Sequence, residues 1–160
     1  MATPQVVVTD LAKFTPALPP TAPGMIERLK DVQEEFLKHE QARIFTQHLL
    51  HGGMYARTIT MPPHLALVGA HIKRPTVVIT VGSGKVLVGK DWADIAGYQV
   101  LPASAGRKQI FVSLEGPLII TMLFPTEAQT VEEAEAEFTD EYDLLLSRHQ
   151  ELNEIVITGE

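Results

Sequence analysis

The chain has 160 residues, 45% of them hydrophobic and 21% charged, which is enough for one domain with its own core and short for two. It contains no cysteine, so disulfides, thiolate metal sites and cysteine nucleophiles are excluded. Met1 to Asp10 lacks the basic region and apolar core of a signal peptide, and no apolar run approaches the ~20 residues of a bilayer span; a cytoplasmic protein with no membrane partner is expected.

The net charge of −7 is unevenly spread. Residues 127–160 carry eleven acids and one base, Arg148, whereas residues 1–126 carry nine acids and twelve bases. The acidic end reads as a solvated helical face. No basic stripe with interleaved aromatics is present, so nucleic acid is not an expected partner.

Residues 1–24 read as an extended arm, dense in proline (Pro4, Pro16, Pro19, Pro20, Pro23). Val6-Val7-Val8 within it has the composition of an edge strand, for its own sheet or for a neighbouring subunit. A single domain is expected over 25–160. It starts with a helix over 25–41, where Met25, Leu29, Val32 and Phe36 follow helical spacing. Gly52-Gly53 then marks a turn, and a barrel is expected over about 50–125. Its strands are Tyr55–Met61, Leu65–Ile72, Thr76–Val81, Lys85–Val88, Tyr98–Leu101, Lys108–Leu114 and Leu118–Phe124, separated by Gly- and Pro-marked turns. Gaps this short leave no room for helical crossovers, which points to an antiparallel sandwich or barrel. Residues 127–160 read as an acidic helical tail. Thr130-Val-Glu-Glu133 has the form of a capping box, a second helix is expected from Thr139-Asp140, and Glu154 to Thr158 fits a strand or a frayed end.

Arg57 to Pro63, Gly69-Ala-His71-Ile-Lys73-Arg-Pro75, Gly82-Ser-Gly84-Lys-Val86, Ala96-Gly97-Tyr98 and Pro102 to Lys108 together resemble a cupin, the small double-stranded β-helix or jelly-roll barrel. Tyr55-Ala-Arg57, Gly69 to Lys73, Pro102 to Arg107 and Thr130 to Glu135 resemble, more narrowly, cupin-like proteins of bacteriophages and prophages, which suggests origin more than activity. The resemblance implies a metal site of His-x-His, a glutamate and a later histidine. Here only His71 stands at such a position. Lys73 holds the second, Thr76 to Val78 the glutamate region, and Arg107 or Lys108 the last. Protonated lysine and arginine are not ordinary ligands, so neither a metal nor another cofactor is expected.

His71 and Lys73 lie two residues apart and would leave one face of a strand. Arg57 shares its alternation with Tyr55, Ile59 and Met61, and Lys108 with Ile110, Val112 and Leu114. If those apolar faces are inward, Arg57, His71, Lys73 and Lys108 converge on one cavity with Arg107 at its rim. Asp91, Asp94 and Glu115 are the acids between Tyr55 and Phe124, so pairing within that stretch is limited and an anion is the expected occupant. The expected ligand is a nucleotide, sugar phosphate or carboxylate, held without chemistry in a homo-oligomer; a host signalling nucleotide is the form the phage resemblance suggests. Two other readings stay open: a metal-free epimerase or isomerase with His71 as base, and a structural or assembly protein.

Overall fold

Turns marked by Gly and Pro divide the chain into short strands whose order in two sheets is that of a jelly roll. The computed structural model describes residues 17–160. The strands are β1 (Phe45–His51), β2 (Met54–Met61), β3 (Ala66–Val68), β4 (Thr76–Val81), β5 (Gly84–Val88), β6 (Asp91–Ile95), β7 (Tyr98–Ala103), β8 (Ile110–Ser113), β9 (Leu118–Pro125) and β10 (Asn153–Ile157). Helix α1 (Pro23–Phe36) precedes them, and α2 (Val131–Phe138) lies between β9 and β10. One sheet has the order β10-β1-β2-β9-β4-β7 and the other β3-β8-β5-β6. With β1 and β10 set aside and the rest counted from β2, the orders become 1-8-3-6 and 2-7-4-5. That is the connectivity of a double-sheet jelly roll. Among the described residues every pairing between strands is antiparallel except β1 with β10, which run parallel from Thr46↔Asn153 to Leu50↔Ile157.

The core lies between the sheets, and period-two alternation puts it there. On β9, Leu118, Ile120, Met122 and Phe124 are buried; β2 adds Tyr55 and Met61, and β4 adds Thr76, Val78 and Thr80. The β4–β5 turn needs its glycines. Gly82 has φ +118°, where a side chain would be strained, and a Cβ there would strike the Pro117 carbonyl oxygen.

The strand expected over Thr76–Val81 has those bounds in the structure. Other elements differ. Helix α1 stops at Phe36, five residues short of the expected end, where the Gln41 amide donates to the carbonyl oxygens of Phe36 (2.9 Å) and His39 (2.8 Å) and satisfies the helix terminus. Leu29 is buried on it, but Phe36 is exposed. The stretch read as turn around Trp92 is strand β6. The expected second C-terminal helix is two short 3₁₀ turns, Tyr142–Leu144 and Leu146–Arg148, because Thr139 is extended (φ −152°) and breaks the run. The acidic tail ends as a strand. The capping residue of α2 is Thr130, whose hydroxyl accepts from the Glu133 N–H at 3.2 Å. Val6–Val8 falls outside the described residues; Leu18, near the start of the described range, bridges in parallel to Ala103 at the end of β7. Among the described residues no helix is long and apolar enough to cross a membrane.

Candidate functional site

A cavity of about 160 Å³ lies between the sheets. Its walls come from inward positions of both sheets, among them Ile59, Val78, Phe111, Ile120 and Met122. Phe138, Glu141 and Leu144 to Leu146, from the C-terminal segment, complete it. Most of the lining is therefore apolar, with Arg57, Arg107, Gln109, Glu141, Gln33 and Thr46 as the polar exceptions.

Of the five cationic or imidazole side chains expected to converge, Arg57 and Arg107 line this cavity; His71, Lys73 and Lys108 do not. The parity expected for the Lys108 strand is reversed. Arg107, Gln109 and Phe111, at spacing two, face the cavity, and Lys108 turns the other way. The apolar set Ile110, Val112 and Leu114 misled because Phe111, on the opposite face, is also apolar and packs, partly buried, against the core. The His71–Lys73 stretch is not a strand either. It forms a connection held by the isolated bridge Ile72↔Arg107 and by the His71 and Lys73 N–H groups, which donate to Glu141 Oε2 (3.0 Å) and the Phe138 carbonyl (2.8 Å), and not by a strand ladder.

The cations are also not left without acids, as the count between Tyr55 and Phe124 implied. The carboxylates arrive from the tail. Arg57 donates to Glu135 Oε2 and to Ser147 Oγ, each at 3.0 Å, and its guanidinium lies 5.8 Å from the centre of the Phe138 ring. Glu135 is 2% exposed and also accepts from Arg148 Nε at 3.0 Å. Lys108 Nζ, fully buried, donates to Glu141 Oε2 and to the Gly69 carbonyl, both at 2.9 Å. Burial pulls the Lys108 ammonium below its usual pKa, against the opposing effect of its hydrogen bond and ion pair with Glu141. Burial alone would push the Glu141 carboxyl up, but the Lys108 hydrogen bond, the His71 N–H and the nearby Lys108 and Lys30 charges together hold it below the ordinary value. Arg74 pairs with Glu137 at 3.1 Å and covers the Phe124 ring at 4.3 Å. Lys73 reaches Asp140 at 2.7 Å in solvent, a pair of the kind worth little.

Arg107 differs from the rest. It is 3% exposed, and its guanidinium donates to the Ser104 carbonyl (2.9 Å), Thr76 Oγ1 (2.7 Å) and Met122 Sδ (3.7 Å). A guanidinium has five N–H donors, so part of the fork has no partner, and no carboxylate among the described residues meets it. Burial pulls its pKa down to about 10, which leaves it charged at neutral pH. Gln109, two residues on, is 4% exposed, and its Nε2 is buried with no hydrogen-bond partner among the described residues. Composition gave no sign of Gln109; only the correct parity of the strand would have found it.

A second buried polar group sits beside the cavity. His48 Nδ1 lies 2.7 Å from the Tyr55 hydroxyl, and Nε2 lies 2.8 Å from Asn153 Oδ1. The Asn153 amide nitrogen donates to the Ser147 and Gln150 carbonyls, which fixes Oδ1 as the acceptor facing His48. The neutral ring therefore carries its proton on Nε2 and accepts from Tyr55. Burial lowers the His48 pKa, the Asn153 hydrogen bond opposes this, and Arg57 lowers it further. With the folded pKa below the unfolded one, the folded state binds fewer protons. The stability from neutral His48 is complete above the unfolded value of ~6.5 and is lost as pH falls through the folded value. The melting temperature is expected to fall on going from pH 7.5 to pH 5, and the His48→Gln variant to fall less over that range. Parallel curves for the two proteins would contradict this.

The barrel connectivity is that of the cupin fold, and the residues at the cupin metal positions do not fit a metal. Of the positions that the sequence resemblance gives to metal ligands, His71 and Lys73 lie outside the cavity lining, and Val78 and Arg107, which line it, offer neither an imidazole nor a carboxylate. Among the described residues no three His, Asp or Glu side chains come together as a ligand set. No protein-family model and no curated protein matches the chain. Solved structures do. A cupin-2 domain protein of Rhodospirillum rubrum is 17% identical with a TM-score of 0.46, over 57% of this chain and 68% of that one. The cupin-2 domain of an XRE-family transcriptional regulator from Enterobacter cloacae is 11% identical, TM-score 0.43, over 52% and 99%. A cupin-2 conserved barrel domain protein of Salinispora arenicola is 10% identical, TM-score 0.44, over 61% and 89%.

Proposed function

We propose that this cupin-fold chain is a metal-independent binding protein that holds a small anion inside its barrel without chemistry. The observation that carries the reading is Arg107, a buried guanidinium in the cavity wall with no carboxylate among the described residues. An uncompensated buried charge is costly, and a bound anion offsets that cost. The enzyme reading has less support, because His71 is outside the cavity lining. Sequestration of a host signalling nucleotide in the bacterial cytoplasm, by a phage-derived protein, rests on the sequence resemblance alone.

Native mass spectrometry of the purified chain should find a retained small molecule, and a panel of adenosine monophosphate, glucose 6-phosphate and benzoate should contain at least one stabilising ligand. Saturation at about 100 times Kd gives ~2.7 kcal/mol, a rise in melting temperature of roughly 5–11 °C for a chain of this size. The Arg107→Met variant should lose that rise, and a chelator should leave it unchanged. An empty protein that no anion stabilises would end the reading.

The expected homo-oligomer has support at β10. Among the described residues β10 is an edge strand paired on one side only; it exposes Ile155 (52%), Val156 (43%) and Ile157 (49%), and an apolar edge of this kind invites association. Sedimentation should show a dimer or larger species that Ile155→Lys shifts to monomer; a monomer at every concentration would contradict it.

A further inference from the structure

The anion-binding reading leaves the ligand class open, and three features of the cavity narrow it. The first is charge. Arg57 is offset by Glu135 and Glu141 by Lys108, so Arg107 is the cavity cation without a carboxylate among the described residues. One uncompensated positive charge in an apolar wall matches a monoanion. A phosphate monoester, with roughly −1.5 to −2 charges at neutral pH, would bring a second charge to be desolvated against hydrocarbon.

The second feature is the donor pair. Arg107 keeps part of its fork without partners, and Gln109 Nε2, on the same face one pleat away, is buried with none among the described residues. A planar two-oxygen acceptor takes donors of this kind. The third is size and lining. A dry apolar cavity of roughly 150 Å³ accepts benzene, and drug-sized ligands occupy about 300–1,000 Å³; this cavity is about 160 Å³.

We propose that the cavity takes a small apolar monocarboxylate, of up to about benzoate size. Its carboxylate meets Arg107 and Gln109, and its hydrocarbon body lies among Ile59, Val78, Phe111, Ile120 and Met122. This rests on the anion-binding reading and goes beyond it in naming the class and in assigning Gln109 as a recognition residue. Nucleotides and sugar phosphates, also expected from the sequence, are disfavoured by the same three features.

Calorimetric titration of the full chain with 3-methylbutanoate, hexanoate and benzoate, with their primary amides, and with phenyl phosphate tests it. At least one carboxylate should bind, and its amide and phenyl phosphate should each bind about tenfold more weakly or less. Gln109→Leu should weaken the carboxylate by roughly five- to tenfold without lowering the melting temperature, since it removes a donor that has no partner. The amide comparison uses the unaltered protein, so the test stands even if Arg107→Met does not fold. Tighter binding of phenyl phosphate, or a different anion retained in native mass spectra while no carboxylate binds, would overturn the monocarboxylate class and leave anion binding intact. Equal binding of amide and carboxylate, or an empty protein that binds none of the probes, would overturn both. Unchanged affinity in Gln109→Leu would remove Gln109 from the site.

Discussion

Replacing Glu135 by leucine is expected to cost about 3–5 kcal/mol of folding stability and to lower the melting temperature by roughly 6–20 °C. Glu135 is 2% exposed and accepts from Arg57 and Arg148, with Ser147 Oγ 3.3 Å away. Removing it leaves the largely buried Arg57 guanidinium without its carboxylate, and this penalty exceeds the net worth of the pair itself. Glu135→Gln keeps the shape and an acceptor oxygen, so its cost should be smaller. The double variant Arg57→Met/Glu135→Leu removes the stranded charge and should regain most of the loss. Urea denaturation measures all three. A Glu135→Leu protein within ~1 kcal/mol of the parent would show that the pair does not hold the tail to the barrel.

Truncating Phe138 should have an effect of similar size by a different cause. Its ring is 1% exposed, stacks on Tyr55 at 6.4 Å and meets Phe124 edge-on at 6.1 Å. Phe138→Ala removes these contacts and leaves a void next to an existing cavity, which argues for about 3–5 kcal/mol. The loss should be local as well as global. Phe138 ends α2, and its carbonyl accepts from the Lys73 N–H at 2.8 Å, so backbone exchange should speed up over 139–157 before it does in β2 or β9. Uniform acceleration across the barrel would contradict the view that this ring seats the tail.

These two residues lie where the sequence was least legible. Strand positions in the barrel were readable because Gly and Pro break the chain at each turn, although on β4 the buried side chains are Thr76, Val78 and Thr80 while Val77 and Val81 are exposed, a facing that residue type does not reveal. Residues 107–111 were not, since Lys108 and Ile110 on one face are as buried as Arg107 and Gln109 on the other; with both faces covered, alternation carries no direction. The acids of the tail could be counted, but their partners could not be named. A carboxylate at Glu135 meets Arg57 only through the fold, 78 residues away, and nothing in local composition distinguishes it from the exposed Glu132 and Glu133 beside it. Arg107 was noticed as one cation in a group; its isolation appeared only when the others were seen to be paired.

The tail's acids also have a consequence in time. A ribosome makes this chain from the N-terminus, so Arg57 emerges 78 residues before Glu135, and Lys108 33 residues before Glu141. At ~5–20 residues per second, Arg57 waits several seconds for its counter-ion. Until then Arg57 and Lys108, largely and fully buried in the finished fold, lack the carboxylates that offset them, and those two ion pairs close only after the residues that follow β9 are translated.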